Sequence, residues 1–378
     1  MIPQNNLTVK IFRKIEQIPE AEWRSIFPAG VENYNFLKSL DVSGFDQFTF
    51  FYLMVYRVEM PVGAISCFTM HFEVDMTVKG ILKTIFKLSR KIAPNFMRPK
   101  VLMCGIPMGR GRIGLKDEGG EVLELMRSSL EHLAREEKAK MIIYKDFTKA
   151  YDEPFKPLLN KGYSKVESIP STEMDLNFNS FDEYLKRLSR VTRDGLKRNL
   201  KKAGQLNKIE LVVKNELNDK EAKQVHELYL QTFMKQALGF EKLPPYFFKA
   251  VSLNMPNETR YFLWRINEDI AAFALCFVKG DYFVDYYLGF NYALPREYYL
   301  YFIRFRDLLK WCIENGIRKY EMGVTSYDVK KRLGFDFIRL YFYIKHFNPL
   351  INMMVPVLKL FLAPRNSEPV FKEMKAQS

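Results

Sequence analysis

A short cationic turn precedes Gly334 in the sequence YEMGVTSYDVKKRLGFDF, residues 320–337. Its cations are Lys330, Lys331 and Arg332. Lys330 carries a compact ammonium on a flexible stem, which suits a bound phosphate or a developing negative charge. Tyr327 lies almost one helical turn earlier and could supply a hydroxyl to the same face. The alternative is a solvated helix end whose cations are placed favourably for the helix dipole.

A second group of candidate residues lies in the segment 186–208, which has nine basic residues and one acidic residue, Asp194. Apolar residues at helical spacing predict a helix here, with the cations on the remaining faces. This density favours an anionic ligand, such as the phosphates of coenzyme A, a lipid-linked precursor or RNA. The candidate ligand-binding residues are Arg193, Lys197 and Arg198, because Lys197 follows Arg193 by one helical turn. A merely solvated basic helix is the alternative.

The elements that must position these residues follow the same order in both halves of the chain. Each half predicts a β meander, a helix, a strand, a short helix closed by glycine, and a further strand. In the first half these are a hairpin at 48–70, a strand at 100–109, a helix after Gly120 and a strand at 140–147. In the second half they are three strands at 260–290, a helix at 297–314 and a strand at 317–323. The repeated order indicates a tandem duplication.

This order of elements, with a short helix ending in Leu-Gly-Phe, resembles the GNAT acyltransferase fold. A tandem chain with a basic helix at the start of its second half is similar to the FemAB and CelD-like families. The likeness is carried by the stretches 181–203, 285–323 and 326–337. It implies an α/β fold, of the α+β mixed-sheet kind, with two tandem GNAT domains. We expect a degenerate domain at 1–168, a FemAB-like domain at 169–348, and an apolar then polar tail at 349–378.

The resemblance also implies roles for single residues. Lys330 stands where many GNAT enzymes have a tyrosine that protonates the departing thiolate. FemAB-like proteins resemble this chain in having a lysine four residues before the glycine. Asp285 heads the strand where an attacking amine is positioned, and could orient or deprotonate it. Tyr286 and Tyr287 follow it as substrate-binding candidates. Arg296 ends the loop that would hold the donor pyrophosphate, although this loop, 291–296, lacks the usual glycines. This departure leaves acyl-coenzyme A, other acyl carriers, aminoacyl-tRNA and lipid-linked donors open.

Other motifs give weaker signals. The spacing Gly109-x-Gly111-x-x-Gly114 resembles a dinucleotide loop, but repeated βαβ units are missing around it, so we expect either a flexible loop or a phosphate nest. His71 and Asp75 have a spacing found in some acyltransferases, which we interpret as coincidence. The remaining histidines lie far apart without ligand spacing, so we predict no metal site.

Composition points to an anionic partner and to a membrane surface. The 378 residues carry a formal charge of +14. The N-terminal segment lacks the apolar core of a signal peptide, and no run is long enough to span a bilayer. Four isolated cysteines are typical of a cytosolic protein. A basic amphipathic stretch at 79–94 and an apolar segment at 347–364 favour peripheral attachment to the inner face of an anionic membrane.

Together these features predict an N-acyltransferase that acts by direct attack of an amine on an activated acyl carbonyl. The expected acceptor is an amine-bearing lipid or envelope precursor, and the expected donor is acyl-coenzyme A or another activated ester or thioester, with tRNA as a possible carrier. No metal is expected, and the sequence leaves the oligomeric state open. A catalytically inactive tandem scaffold that binds RNA or anionic membrane is the alternative.

Overall fold

A computed structural model describes residues 7–72, 98–116, 120–205, 209–235, 239–324 and 326–362. The amphipathic stretch 79–94, as well as Asp75 and Thr325, therefore lies outside the described residues. Within the described part the chain forms two compact units. The first unit takes residues 7–29, 45–169 and 339–362, and the second takes residues 30–44 and 170–338.

The strands and helices are numbered here along the chain. The strands are β1 (Leu7–Phe12), β2 (Thr49–Arg57), β3 (Met60–His71), β4 (Lys100–Cys104), β5 (Gly114–Leu115), β6 (Met141–Thr148), β7 (Ser164–Glu167), β8 (Ser171–Asp175), β9 (Ile209–Lys214), β10 (Thr259–Ile266), β11 (Asp269–Lys279), β12 (Tyr282–Phe290), β13 (Lys319–Met322), β14 (Asp336–Ile338) and β15 (Leu340–His346). The α-helices are α1 (Glu20–Ile26), α2 (Tyr34–Val42), α3 (Glu121–Glu136), α4 (Lys156–Asn160), α5 (Phe181–Arg187), α6 (Arg190–Ala203), α7 (Asp219–Phe233), α8 (Phe247–Asn254), α9 (Leu300–Glu314), α10 (Tyr327–Arg332) and α11 (Pro349–Leu362). None of these helices is long and apolar enough to cross a membrane.

Each unit is built on one mixed sheet. In the first unit the strands lie in the order β1-β2-β3-β4-β6-β15-β7, with β5 paired to β3. In the second unit the order is β14-β8-β13-β12-β11-β10-β9. A meander of antiparallel strands leads in both sheets to a parallel pair, which is β4 with β6 in the first and β12 with β13 in the second. The predicted duplication of the strand-and-helix order is therefore visible in the two sheets.

A crossover helix joins the two parallel strands in each unit, as parallel pairing requires. In the first unit α3 buries one stripe of its surface on the sheet, with Val122, Met126, Leu130 and Leu133 all at or below 3% exposure. In the second unit α9 buries Ile303, Phe305, Leu308 and Leu309 in the same way. Each such side chain contributes roughly 1.5–3 kcal/mol by leaving water. The position of the residues that follow the parallel strands is thereby fixed.

In each sheet, the strand next to the edge strand comes from a distant part of the sequence, an arrangement that we call the strand exchange. In the first sheet the edge strand β7 is separated from β6 by β15, which comes from the end of the chain. In the second sheet the edge strand β14 is separated from β13 by β8, which directly follows β7 in sequence. The final strand predicted after Gly334 is therefore divided at Arg339 into β14 and β15, which belong to different sheets.

This exchange changes the linear division expected from the sequence. The expected boundary near residue 168 lies beside the observed change of unit at 169/170. Residues 339–348, however, join the first unit because β15 pairs with β6 and β7. Residues 30–44 join the second unit because α2 packs on α8. The apolar segment expected as a tail forms α11, which packs on β7 and β15.

We expect a chain truncated after Ile338 to lose the fold of its first unit, because β6 and β7 would each lose the backbone partner that β15 supplies. Amide hydrogen exchange measured by mass spectrometry should show strong loss of protection in β6 and β7, with β11 and β12 still protected. A chain ending at Leu362 is the matched control and should keep its protection. Unchanged protection of β6 in the shorter chain would contradict the strand exchange.

Candidate functional site

The parallel strands β12 and β13 separate after four residue pairs. They pair from Tyr282 with Lys319 to Asp285 with Met322, where β13 ends while β12 continues to Phe290. A β-bulge lies at the same point, because Cys276 faces Asp285 whereas Leu275 faces Tyr287. Bulges often re-aim side chains beside active sites, and ligands bind outside the carboxyl ends of strands in open α/β sheets. We call this point, formed by residues 286–290 and 322–324, the strand opening.

Lys330 fixes one side of the strand opening. Its Nζ donates hydrogen bonds to the carbonyl oxygens of Met322 at 2.6 Å, Gly323 at 2.8 Å and Val324 at 3.2 Å. An ammonium has three donors, so all of them have acceptors in the backbone. Lys330 is 4% exposed. The expectation that it meets a phosphate therefore needs correction, because its charge is turned inward onto the end of β13.

Burial has a second consequence at Lys330. Loss of water around the ammonium lowers the pKa of Lys330 from its ordinary value to about 7, although Asp285 and Glu321 act in the opposite direction. The turn that brings Lys330 to this place contains Ser326, whose φ of +54° is in the left-handed region. Gly334, with φ of +90°, follows the end of α10. These two residues determine the direction of the helix between them.

Tyr327 and Thr172 tie the same turn to β8. The Tyr327 hydroxyl donates to the carbonyl of Pro170 at 2.8 Å, and the ring is buried. The Thr172 hydroxyl donates to the carbonyls of Met322 and Gly323. The hydroxyl that the sequence suggested for catalysis is thus directed at the backbone. Tyr327 and Thr172 both support the position of the strand end.

The Asp285 side chain lies on the side of β12 that faces the core and α9. Its carboxylate accepts hydrogen bonds from the guanidinium of Arg304 and from the Tyr320 hydroxyl, the latter at 3.1 Å. Both members of the ion pair are buried, with side-chain exposures of 1% and 0%. The pair joins β12 to α9, and the hydrogen bond from Tyr320 adds a link to β13. The structure therefore gives Asp285 an orienting part within the core, and encloses it too fully for the predicted contact with an amine.

Tyr286 and Tyr287 are brought together at the bulge, with ring centroids 5.5 Å apart. The Tyr286 hydroxyl donates to Glu32 at 3.4 Å, and the Tyr287 hydroxyl donates to Glu241 at 2.8 Å. Burial, together with these carboxylates, raises the pKa of both phenols well above the ordinary value. Both hydroxyls are therefore protonated donors at neutral pH.

Further carboxylates lie on this face of the sheet. The negative charge of Glu321, like those of Glu32 and Glu241, raises the pKa of the Tyr286 hydroxyl. The Tyr282 hydroxyl donates to Glu321 and, at 3.2 Å, to Glu173. We call Glu32, Glu241, Glu321, Tyr286 and Tyr287 the tyrosine–carboxylate cluster. Carboxylates and aromatic faces both attract an ammonium group, so this cluster can hold a cationic amine and remove its proton.

The predicted basic helix is interrupted. It forms α5 and α6, because the Ser189 hydroxyl accepts from the Thr192 amide and starts a new helix there. Arg193 is paired with Asp194 at 3.8 Å, whereas Lys197 and Arg198 are exposed. Helix α6 packs against α9 and against the 3₁₀ turn Arg296–Tyr298, in which Arg296 is exposed. The structure thus gathers these cations on elements that adjoin the start of α9, and their binding role stays a prediction.

The glycine motif of the first unit has a packing explanation. A Cβ on Gly111 would lie 2.1 Å from the carbonyl oxygen of Lys145, and a Cβ on Gly114 would lie 2.0 Å from Ile26. Gly109 has φ of +83°. Close approach of the backbone therefore requires these glycines without any phosphate. His71 is exposed, and its ring contacts the carbonyl of Arg98.

The chain resembles known proteins both in sequence and in fold. A family model named FemAB-like, described as peptidoglycan biosynthesis/recognition, matches residues 99–356, more than half of the chain. No curated protein sequence matches the chain. The crystal structure of FemX is similar with a TM-score of 0.58 and 12% identity, over 92% of this chain and 99% of that chain.

Two other solved structures are similar at the level of the fold. A tandem GNAT protein from the clavulanic acid biosynthesis pathway has a TM-score of 0.52 and 11% identity, over 91% of this chain and 99% of that one. The C-terminal domain of a putative lysylphosphatidylglycerol synthetase from Agrobacterium fabrum has a TM-score of 0.51 and 10% identity, over 89% of this chain and 95% of that one. The expected tandem GNAT fold is confirmed.

We predict that Lys330 makes stability depend on pH. With a pKa of about 7 in the folded chain and about 10.4 in the unfolded chain, the unfolded state binds more protons between these values. Stability should therefore rise through this window by up to about 1.4 kcal/mol per pH unit. Urea unfolding of the wild type and of Lys330→Met should differ by an amount that rises above pH 7 and is flat below it.

Taking the difference removes the contribution of the buried cysteines, which changes with pH identically in both chains. Lys331→Met, at an exposed position of the same helix, is the matched control and should show no such slope. A Lys330→Met difference that is constant with pH would show that the carbonyl oxygens keep the ammonium charged.

Proposed function

The chain belongs to the FemAB-like family of peptidoglycan biosynthesis and recognition proteins, and on this premise we propose that it transfers an acyl or aminoacyl group to an amine of a cell-envelope precursor. The observation that supports this proposal is the strand opening, with the tyrosine–carboxylate cluster directly beside it. The first offers a place for an activated carbonyl, and the second offers a place for the attacking amine.

In the proposed reaction the acceptor amine attacks the acyl carbonyl directly. A carbon–nitrogen bond forms, and the bond between the carbonyl carbon and the oxygen or sulfur of the donor breaks. A bound ammonium first loses one proton to become the attacking amine, and a carboxylate takes the second proton as the carbon–nitrogen bond forms. The departing group takes a proton from a phenol, and the carboxylic acid then returns its proton to the phenolate. The four cysteines of the chain are buried, and burial raises the pKa of their thiols. This environment argues against a cysteine-linked intermediate.

Glu241 is the proposed base and Tyr286 the proposed acid. Glu241 accepts the Tyr287 hydroxyl at 2.8 Å, so the tyrosine orients its carboxylate at the bulge. Tyr286 keeps its proton at neutral pH, because burial and the nearby carboxylates raise the pKa of its hydroxyl. A protonated donor at the bulge can serve an oxygen or sulfur leaving group in the strand opening.

The proposed donor carries phosphate. Lys197, Arg198 and Arg296 are exposed on elements that adjoin the start of α9, and cations placed in this way attract phosphate groups. Acyl-coenzyme A and aminoacyl-tRNA both fit this requirement. The loop 291–296, which lacks glycine, favours a donor that is held by side chains more than by backbone amides. We place the reaction at the inner membrane surface, where lipid-linked envelope precursors are found.

Glu241→Gln should lower kcat by roughly a hundredfold or more, because the amide cannot take the proton of the amine. The measurement is amide product, counted by mass spectrometry, with an amine acceptor and each donor class in turn. Glu210→Gln, at an exposed position on β9, is the matched control. Equal activity of Glu241→Gln and Glu210→Gln would remove Glu241 from the mechanism.

Replacing both Lys197 and Arg198 with glutamine should raise the KM for the donor while leaving kcat within about twofold, since phosphate contacts position the donor and do not take part in proton transfer. The dependence of donor binding on log salt should become shallower by about one for each cation. Lys223→Gln on α7, also exposed, should change neither quantity. An unchanged salt slope in the double variant would rule out this donor surface.

A further inference from the structure

Helix α11 presents apolar side chains to the solvent. Leu350 is 75% exposed, Ile351 44%, Met353 75% and Met354 57%. Leu350, Met353 and Met354 recur at the spacing of one helical face. Isolated exposed apolar residues are ordinary, but a continuous apolar face of this kind marks an interaction surface.

The helix is held to the first unit by a polar side chain. The Asn352 side chain donates to the carbonyl of Gly162 at 2.9 Å and accepts from the amide of His346 at 2.8 Å. An ordinary surface helix buries its apolar stripe and exposes its polar residues. The first turns of α11 have the opposite orientation, with the amide toward the protein and the apolar residues outward.

Basic residues lie near Phe347, two residues before α11. The Phe347 amide donates to the carbonyl of Lys140 at 3.0 Å, and the Arg135 guanidinium lies over the Phe347 ring at 5.0 Å. Lys138 and Lys140 are exposed, and the Arg135 side chain is 61% exposed, with Glu131 at 3.7 Å. An apolar face next to cations is complementary to an anionic lipid surface, which offers acyl chains beneath negative headgroups.

We propose that α11 is a docking helix that lies in the plane of an anionic bilayer, with Leu350, Met353 and Met354 inserted and with Lys138 and Lys140 at the headgroups. Its 14 residues extend about 21 Å, which is too short to cross the hydrocarbon core and suits a position at the interface. An anionic bilayer is complementary to both features, with acyl chains for the apolar face and negative headgroups for the cations. This proposal rests on the proposed function only in placing the enzyme at a membrane surface. The residues of the docking helix are not those of the strand opening, so the two proposals can be tested separately.

The test is co-sedimentation of the full-length protein with vesicles of phosphatidylcholine alone and of phosphatidylcholine with phosphatidylglycerol. The wild type should bind the anionic vesicles more strongly, and added salt should weaken this binding. Met353→Ser should reduce the bound fraction about tenfold, because an inserted apolar side chain returns to water. Met234→Ser is the matched control, since Met234 is 83% exposed on the second unit, and it should bind like the wild type.

Changing Lys138 and Lys140 to glutamine should weaken binding to anionic vesicles by about fivefold for each cation, with no change on neutral vesicles. Equal binding of Met353→Ser and Met234→Ser, or no binding of the wild type, would overturn the proposal. Light scattering could instead show that wild-type chains associate, that Met353→Ser does not, and that neither binds vesicles. This result would overturn the proposal and would indicate that α11 binds a second copy of the chain. Melting curves and transfer to a water-soluble amine should be unchanged in Met353→Ser. A wild-type protein that transfers no acyl group would count against the proposed function. Its binding to vesicles would still test the docking helix.

Discussion

The hydrogen bonds from Lys330 to the end of β13 constrain the rest of the second unit. Three carbonyl oxygens in succession, those of Met322, Gly323 and Val324, lie where β13 leaves the sheet. A buried carbonyl without a donor costs about 1–3 kcal/mol, so a donor to the buried Met322 carbonyl stabilises this end of the strand. Lys330 supplies it from α10, and Thr172 adds a hydroxyl from β8. Because β13 ends here, β12 continues alone, and the strand opening results.

The side chains on the two sides of β12 have different partners. On the core side, Asp285 and Arg304 join the strand to α9 through a buried ion pair. On the other side, Tyr286 and Tyr287 direct their hydroxyls to Glu32 and Glu241. The bulge between Asp285 and Tyr287 places these unlike environments within three residues. A chain with a formal charge of +14 thus keeps carboxylates where an amine is proposed to bind, and exposes cations on α6.

Local patterns in the sequence were sufficient for the order of elements and the tandem fold. Alternating β-rich runs and a helix stopped by Asn315-Gly316 have local physical causes, so the hairpin, the meander and α9 could be predicted. Pairing between distant segments has no local signal, so the separation of β14 from β15 at Arg339 could not. The direction of Lys330 and Asp285 also depends on distant partners, namely the end of β13 and Arg304. Glu32 and Glu241 lie in irregular segments far from Tyr286 in sequence, and only the fold shows that they are neighbours.

The most direct test of the strand opening is amide hydrogen exchange on the wild-type protein with and without an unreactive donor analogue, in which an amide replaces the scissile ester or thioester. If the donor lies in the opening, protection should increase in residues 286–290 of β12 and at the start of α9, and should stay unchanged in β10 and in the first unit's β2. Binding of the analogue with no added protection in residues 286–290 would contradict the assignment of the donor to this opening.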